Sequence, residues 1–462
     1  MNNLLFFIFT AMKKLYPYTL VLLTIILAYS CRKDNNKNID LSPSTRTYSS
    51  DQLRNYFGLM CTITKSTKGF FPTQAARAYG YVGIAAYESV VHGIPGASSL
   101  YGQLNGLTAL PTPGANLQYN WAISSNAAMA EMMRKMFDVN LSPANLANID
   151  STEKINLVNL SRGVDPMVAY RSVQYGKSVS DAIYQASVSD GGHQAYLNPF
   201  HLPYTLPVCN SCWIATNPSV PSPVSPEWGT LRPFLVVNIN NVIPDNHTTF
   251  STDPGSAFYA NAMAVYNQVK NNTADQVEIT KFWADDPFNT CTPAGHTFNI
   301  MAQLLKENNA TLEKASVAFA KLAIAENDAF ISCWKCKYQY NLIRPVTYIQ
   351  KYIDASFTTV IGTPPFPSYS SGHAYESGAS SEVFINLFTD GSGKYDFTDY
   401  SQVQYGFQPR EYKNFNDMAL ECANSRFYGG IHYNEDNMEG LKMGQLIGNN
   451  VNNLISWPTN LR

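Results

Sequence analysis

The sequence predicts an all-α protein in which two sets of helices pack together. Apolar residues recur at helical spacing in about ten segments, several of which open after proline or end at glycine. Strand signals are few, and the best is residues 235–242, LVVNINNV. Only 14% of the 462 residues are charged, against about 25% in an average soluble domain. We therefore expect a large buried core.

The predicted helices divide the chain into two parts. They cover residues 74–93, 124–137, 167–187, 255–270, 274–285, 296–308, 312–340 and 373–387, with two more after Asn414. Between Gly191 and Pro254 the chain is rich in Pro, Asn and Ser, which predicts a long connection. This gives an amino-terminal helical part, residues 51–250, and a carboxy-terminal helical part, residues 251–462.

The charge balance excludes one class of partner. Lys and Arg number 32 and Asp and Glu number 34, which leaves a net charge of -2. Such a chain has no excess of positive charge to neutralise a nucleic-acid backbone or to coat an anionic membrane. We therefore expect no nucleic-acid partner.

The amino-terminal residues predict export. Residues 12–31 contain Lys13 and Lys14, an apolar run and small residues before Cys31. This pattern resembles a bacterial lipoprotein signal, which implies cleavage before Cys31 and lipidation of that cysteine. A membrane-spanning anchor is disfavoured because the apolar run is shorter than the ~20 residues needed. We expect a signal peptide at residues 1–30, a flexible tether at residues 31–50, and lipid anchoring to a Gram-negative cell envelope, in the periplasm or on the outer membrane.

The remaining cysteines number seven, so at least one thiol stays free or pairs between chains. Cys209 and Cys212 predict a short disulfide in a Pro-rich loop. A zinc site built from this pair with Cys333 and Cys336 is the alternative, and the helical pattern around the second pair disfavours it.

The first of three polar blocks is KYQYNLIRP, residues 337–345. Seven residues turn a helix through about 700 degrees, which places Lys337 and Arg344 on nearly the same face. Pro345 would then end that helix. Two cations side by side repel each other unless an anion lies between them, although a solvated basic face is the simpler interpretation of this block alone.

The second block, residues 364–378, changes from prolines and serines to a helical pattern at Ser371, Gly372 and His373. Free N–H groups and the helix dipole favour an anion at such an amino terminus, and Gly372 lets it approach the backbone. Simple capping by Ser370 or Ser371, with His373 exposed, is the alternative.

The third block is SRFYGGIHYNED, residues 425–436. Arg426 and His432 would lie on different faces of one helix, but the Gly429–Gly430 pair can break it and turn both inward. Asp436 follows His432 at i+4, so its carboxylate can accept a hydrogen bond from one ring nitrogen and leave the other free as nucleophile or ligand. A purely structural His–Asp pair is the alternative.

In order, the three blocks resemble the signature of the vanadium-dependent haloperoxidases and the type 2 phosphatidic acid phosphatase (PAP2) superfamily. That signature is Lys-x6-Arg-Pro, Pro-Ser-Gly-His and Ser-Arg-x5-His-x3-Asp. Ser370 departs from it, since proline usually stands there. Residues 282–296 also resemble the longer bacterial haloperoxidases, so the resemblance covers most of the chain. It implies a double helical bundle whose catalytic half is residues 251–462.

The resemblance also implies a cofactor, vanadate, and a site that phosphate can occupy as well. His432 would bind the metal, Asp436 would orient its ring, and His373 would act as acid and base toward hydrogen peroxide. Halide would be oxidised to hypohalous acid. The residues implied to bind the anion are Lys337, Arg344, Ser371, Gly372, Arg426 and His432.

Two other functions stay open at this stage. The same residues suit an acid phosphatase, in which His432 attacks phosphorus and His373 protonates the leaving oxygen. An oxyanion-binding surface lipoprotein without catalysis is the second alternative, but it would not need two histidines. Trp334 and Phe366 favour the haloperoxidase, because similar bacterial iodoperoxidases place aromatic residues beside the anion. This aromatic wall favours iodide or bromide as the halide.

One further histidine falls at a predicted helix start. His296 follows Thr292-Pro293-Ala294-Gly295. A place near the mouth of the site is one interpretation, and a capping or core role is the favoured one. The oligomeric state is left open.

Overall fold

A computed structural model describes residues 42–390, 393–459 and 461. Within these residues, fourteen α-helices and one small sheet supply the regular structure, apart from short 3-10 turns. This confirms the predicted all-α fold. The helices are α1 Asp51–Ser66, α2 Pro72–Glu88, α3 Trp121–Phe137, α4 Pro143–Leu160, α5 Pro166–Val188, α6 Val237–Asn240, α7 Ala257–Lys270, α8 Ala274–Phe282, α9 Thr292–Glu307, α10 Leu312–Tyr340, α11 Pro345–Tyr352, α12 Gly372–Phe388, α13 Phe415–Tyr428 and α14 Asn434–Leu454.

The long helix α10 is the centre of the fold. Nearly all of its 29 residues are buried, because α2 packs along one side and α12 along another. Small residues allow the close approach to α2: a Cβ on Gly83 would stand 2.4 Å from the Cβ of Ala323. Side chains from both predicted parts, from Leu53 to Ile455, form one apolar core. The two parts are therefore packed together as expected.

The carboxy-terminal helices bring the three polar blocks to one place. Helix α12 lies against α10, α13 and α14. Its contact with α14 is tight, since a Cβ on Gly444 would stand 2.1 Å from the carbonyl oxygen of Tyr375. The first block spans the end of α10 and the start of α11, the second leads into α12, and the third joins α13 to α14.

The strand prediction for residues 235–242 is wrong. The segment contains the short helix α6, beside the buried carboxylate of Asp328. That carboxylate accepts hydrogen bonds from the backbone N–H groups of Phe234 and Leu235 and from the amide of Asn238. These bonds override the strand preference of the valines. The two described strands form an antiparallel hairpin instead, β1 Lys394–Asp399 and β2 Arg410–Asn414.

The last part of the predicted tether is packed onto the helices. Thr45 is fully buried, and Arg46 forms an ion pair with Glu313 of α10 at 2.9 Å. Ser49 forms a bridge with Thr311. Residues 42–50 are therefore not a flexible tether, because the buried carboxylate of Glu313 needs this cation. The predicted signal peptide and Cys31 lie outside the described residues. Within residues 42–390 and 393–459, no helix is both long and apolar enough to cross a bilayer.

Two disulfides occur among the described cysteines. Cys209 is bonded to Cys212, which confirms the predicted short disulfide and removes this pair from the alternative zinc site. A second bond joins Cys61 of α1 to Cys291, the residue before α9. The free thiols in the described part of the chain are buried, and they are Cys333, Cys336 and Cys422.

Candidate functional site

Lys337 and Arg344 approach the same place from two different elements. Helix α10 ends at Tyr340, and Asn341 takes the left-handed conformation with φ 48°. Pro345 then occupies the first turn of α11. The prediction of one continuous helix face was therefore wrong, because proline opens the next helix here instead of ending the previous one. Both cations are nevertheless fully buried, which excludes the interpretation of this block as a solvated basic face.

The loop before α12 surrounds the ammonium group of Lys337. Its Nζ donates to the carbonyl oxygens of Pro367, Ser368 and Ser370 at 3.0, 2.9 and 2.5 Å. Burial lowers the pKa of Lys337 to about 8, and Arg344 acts in the same direction. The loop contains a cis peptide bond between Tyr369 and Ser370, at the position where the family signature has proline.

The guanidinium of Arg344 lies against the third block. Its Nε donates to the Phe366 carbonyl at 2.8 Å, and its Nη1 donates to the Ile431 carbonyl at 2.7 Å. Nη1 also lies 3.0 Å from Nε2 of His432. Its Nη2 is buried and has no hydrogen-bond partner. One donor of this side chain is therefore left for a ligand.

Helix α12 begins as the sequence predicts, with Ser371 as its N-cap and Gly372 as its first residue. The Ser371 side chain does not cap the helix, and its buried Oγ has no partner. Simple capping by Ser371 is therefore excluded. His373 is half-buried, and its Nε2 lies 3.3 Å from Nη1 of Arg426.

The third block turns where the glycines predict. Helix α13 ends at Tyr428, and Gly430 has a φ of +77° that favours glycine. This turn brings His432 inward, with 3% of its surface exposed. His432 Nδ1 lies 2.8 Å from Oδ2 of Asp436, which confirms the predicted hydrogen bond.

Ser368 is a site residue that the sequence did not reveal. Its hydroxyl donates to Oδ2 of Asp436 at 2.6 Å, on the oxygen that also faces His432. The two residues lie 68 positions apart, and only the fold of the loop joins them. The other oxygen of Asp436 is buried without a partner. Burial raises the pKa of this carboxyl to about 7.

The electrostatics of the site favour an anion. Lys337, Arg344 and Arg426 are each at most 1% exposed. Among the described residues, no carboxylate lies within 4.0 Å of any of their charged nitrogens. Burying a cation without a carboxylate in contact is costly, so the three cations favour an anion between them. The unpartnered Nη2 of Arg344 and Oγ of Ser371 are two further donors for it.

Both histidines of the site are held neutral. Burial lowers the pKa of His432 well below its usual value, and the charge of Arg344 lowers it further. Burial and Arg426 lower the pKa of His373 in the same way. A neutral ring that donates from Nδ1 to Asp436 keeps a lone pair on Nε2. His432 can therefore act as a ligand or nucleophile, and His373 as a base.

Aromatic rings form one side of the site. Trp334 packs on Phe366 with ring centroids 4.9 Å apart. The Nζ of Lys337 lies 5.1 Å from the centroid of the Phe366 ring, and the guanidinium carbon of Arg344 lies at the same distance. The Trp334 ring also packs close to Gly372, since a Cβ added to Gly372 would stand 3.4 Å from this ring. The predicted aromatic wall is therefore next to the cations.

The fold and the site define a class of protein: a helical bundle with a buried site that contains three cations and two histidines. A family model of the vanadium chloroperoxidase (VCPO) second helical-bundle domain matches residues 317–360 and 351–459. The crystal structure of the first bacterial vanadium-dependent iodoperoxidase is similar with a TM-score of 0.80 and 31% identity, covering 92% of this chain and 98% of that one. The chain belongs to the vanadium-dependent haloperoxidases.

More distant structures share the fold. A holo-type bacterial vanadium-dependent chloroperoxidase matches with a TM-score of 0.66 and 13% identity, over 91% of this chain and 98% of that one. The apo-type enzyme matches with a TM-score of 0.63 and 14% identity, over 82% and 92%. A search of curated proteins finds no match.

Proposed function

We propose that this haloperoxidase binds vanadate at the buried cations and uses hydrogen peroxide to oxidise iodide or bromide to hypohalous acid. The observation that carries the proposal is the burial of Lys337, Arg344 and Arg426 without a carboxylate partner within 4.0 Å in the described chain. Forked guanidinium donors suit a tetrahedral oxyanion.

The donors around the cations fit vanadate, and phosphate by the same chemistry. The residues that would hold the anion are Lys337, Arg344, Ser371, Gly372, Arg426 and His432. When bound, vanadate supplies the Lewis acid that activates hydrogen peroxide toward attack by halide. Because no side chain caps α12, the N–H groups and dipole of its first turn are available to the anion.

His432 presents Nε2 to the anion. Asp436 fixes the tautomer by accepting the Nδ1 proton at 2.8 Å, and Ser368 fixes Asp436. Nη1 of Arg344 donates to Nε2 of His432. This N–H group can turn to an oxygen of the anion when Nε2 of His432 binds the anion.

His373 serves as the acid and base. Its pKa lies well below the usual value because of burial and Arg426, so the ring is neutral near pH 7 and can take a proton from hydrogen peroxide. The ring is half-buried, which leaves it open to a small substrate.

The aromatic wall supports iodide or bromide as the halide. Trp334 and Phe366 give the site an apolar, polarisable side. Large, weakly hydrated halides lose less solvation than chloride when they enter such a place.

The test is a pair of assays on the mature protein. The first supplies vanadate, hydrogen peroxide and iodide or bromide, and the second supplies an aryl phosphate without vanadate. The proposal expects halide oxidation that disappears in His432→Ala. Phosphatase activity without halide oxidation would identify the PAP2-type acid phosphatase instead. Inactivity in both assays, with vanadate still bound, would identify an oxyanion-binding lipoprotein.

We also propose that the chain is exported and lipid-anchored through Cys31, as the pattern of residues 12–31 supports. Incorporation of a labelled fatty acid into the wild type, and its loss in Cys31→Ala, is the expected result. Equal labelling of both proteins would contradict it.

A further inference from the structure

One histidine outside the anion site is buried between two carboxylates. His296 lies in the first turns of α9 and is 1% exposed. Its Nδ1 lies 3.0 Å from Oδ2 of Asp285, and its Nε2 lies 3.2 Å from Oδ2 of Asp399. A neutral ring would turn a lone pair toward one of these carboxylates. A ring that is protonated on both nitrogens donates to both carboxylates, so this geometry favours an imidazolium.

The surroundings of His296 support this charge. Burial alone would disfavour the imidazolium, but Asp285 and then Asp399 raise its pKa to about 10. The side-chain amide of Gln402 lies 2.8 Å from Oδ1 of Asp285 and 2.7 Å from Nδ1 of His296 and completes the cluster. The cluster therefore holds Asp285 as a carboxylate in a fixed position.

The same cluster contacts the segment that supports His373. The ring of His296 stacks on Trp283, with centroids 4.4 Å apart and an angle of 23° between the planes. The backbone of Trp283 hydrogen-bonds the ring of His373 and favours its protonated form. The indole N–H of Trp283 donates to Glu421 at 3.0 Å, which fixes the other end of this side chain.

Asp285 links the cluster to His373 by a second route. Its charge stabilises the guanidinium of Arg426. Nη1 of Arg426 in turn lies 3.3 Å from Nε2 of His373. Each neighbour of the His373 ring therefore interacts with the cluster: Trp283 stacks on His296, and Arg426 is under the charge of Asp285.

We propose that His296 is a positioning residue for His373, which it orients through Trp283 and through Asp285, whose charge acts on Arg426. The role in turnover rests on the proposed function of His373 as acid and base. The orientation itself does not, because it is a property of the protein without ligand.

The test compares His296→Gln with the wild type. The first readout is the ¹⁵N NMR spectrum of the histidine rings in ligand-free protein. The chain has seven histidines, so the signals are few, and the loss of a signal in His373→Gln identifies the one from His373. We expect the His373 signals to shift in His296→Gln. We also expect kcat for halide oxidation to fall about tenfold or more, while the Kd for vanadate changes less than about threefold.

A second variant and a matched control separate positioning from general damage. Asp399→Asn removes one partner of His296 on β1 and should shift the same signals by a smaller amount, which keeps the test available if His296→Gln does not fold. The control is Asp190→Asn, which breaks an equally buried pair with Arg77 at 2.7 Å. It should lower the melting temperature and leave the His373 signals and kcat unchanged.

Two results would overturn the proposal. One is an unchanged His373 spectrum in folded His296→Gln or Asp399→Asn. The other is a parallel loss of kcat and vanadate affinity, which would show support of the whole anion site instead of His373. If the spectrum shifts but the wild type oxidises no halide, the proposed function fails and the positioning role stands.

Discussion

Nη1 of Arg344 lies 3.0 Å from Nε2 of His432, so a cation contacts the nitrogen that the proposed function uses as a ligand. This contact requires a neutral His432 ring with a lone pair on Nε2. In an imidazolium, Nε2 would carry a proton and would face the Arg344 N–H donor with a second donor. Arg344 therefore keeps the lone pair of His432 on Nε2, and under the proposed function its guanidinium also donates to the anion.

Arg344→Lys tests this relationship. Lysine cannot reach the Phe366 and Ile431 carbonyls and the anion together, because it has one nitrogen instead of a planar fork. A charge-assisted hydrogen bond contributes about 1.5–3 kcal/mol, so we expect the Kd for vanadate to rise about 10- to 100-fold. Isothermal titration calorimetry measures it, with Arg134→Lys as the control outside the site. An unchanged Kd would exclude Arg344 as an anion ligand.

Asp436→Asn should disable His432 without removing it. An amide N–H facing Nδ1 would reverse the tautomer and put the ring proton on Nε2, where the lone pair is needed. We expect halide oxidation to fall about 100-fold or more. Glu435→Gln is the neighbouring control, since Glu435 binds Thr248 at the edge of the site. Near-normal turnover in Asp436→Asn would show that the tautomer is not controlled by this carboxylate.

The stability that His296 contributes should depend on pH. Its folded pKa of about 10 lies above the unfolded value of 6.5. The contribution is therefore fully present below pH 6.5 and is lost as pH rises from 6.5 to 10. The shift corresponds to an effect on the order of 5 kcal/mol. Urea unfolding of the wild type and His296→Gln at pH 6, 8 and 10 should show a difference that shrinks with pH. A constant difference would mean that the ring is neutral.

The Cys61–Cys291 disulfide should stabilise the fold more than Cys209–Cys212. It closes a separation of 230 residues, against 3 for the other bond. Chain entropy predicts losses of about 5 and about 2 kcal/mol when each is removed. The measurement is the free energy of unfolding of Cys61→Ser/Cys291→Ser and of Cys209→Ser/Cys212→Ser. Equal losses would contradict a mechanism based on the unfolded chain.

Local patterns in the sequence predict part of the site correctly. The helix start at Ser371–Gly372, the break at Gly429–Gly430 and the His432–Asp436 pair each depend on residues at most four positions apart, where helix geometry decides the contact. Most predicted helices occur, although α1, α4, α6 and α11 were not among them.

The sequence is less informative where distant residues or proline decide the structure. Pro345 is compatible with the end of one helix or the start of the next, and only the left-handed Asn341 distinguishes them. Ser368 meets Asp436 from 68 positions away, and Asp399 meets His296 from 103. Sequence periodicity does not reveal such contacts, because they form between elements that only the tertiary fold brings together.

The most direct test of the central claim, an oxyanion bound to His432 among three buried cations, is a crystal structure of the protein loaded with vanadate. The account predicts density for the metal at bonding distance from Nε2 of His432, with Lys337, Arg344 and Arg426 around its oxygens. A well-ordered site without density at Nε2 under saturating vanadate, or vanadate bound at another place, would contradict it.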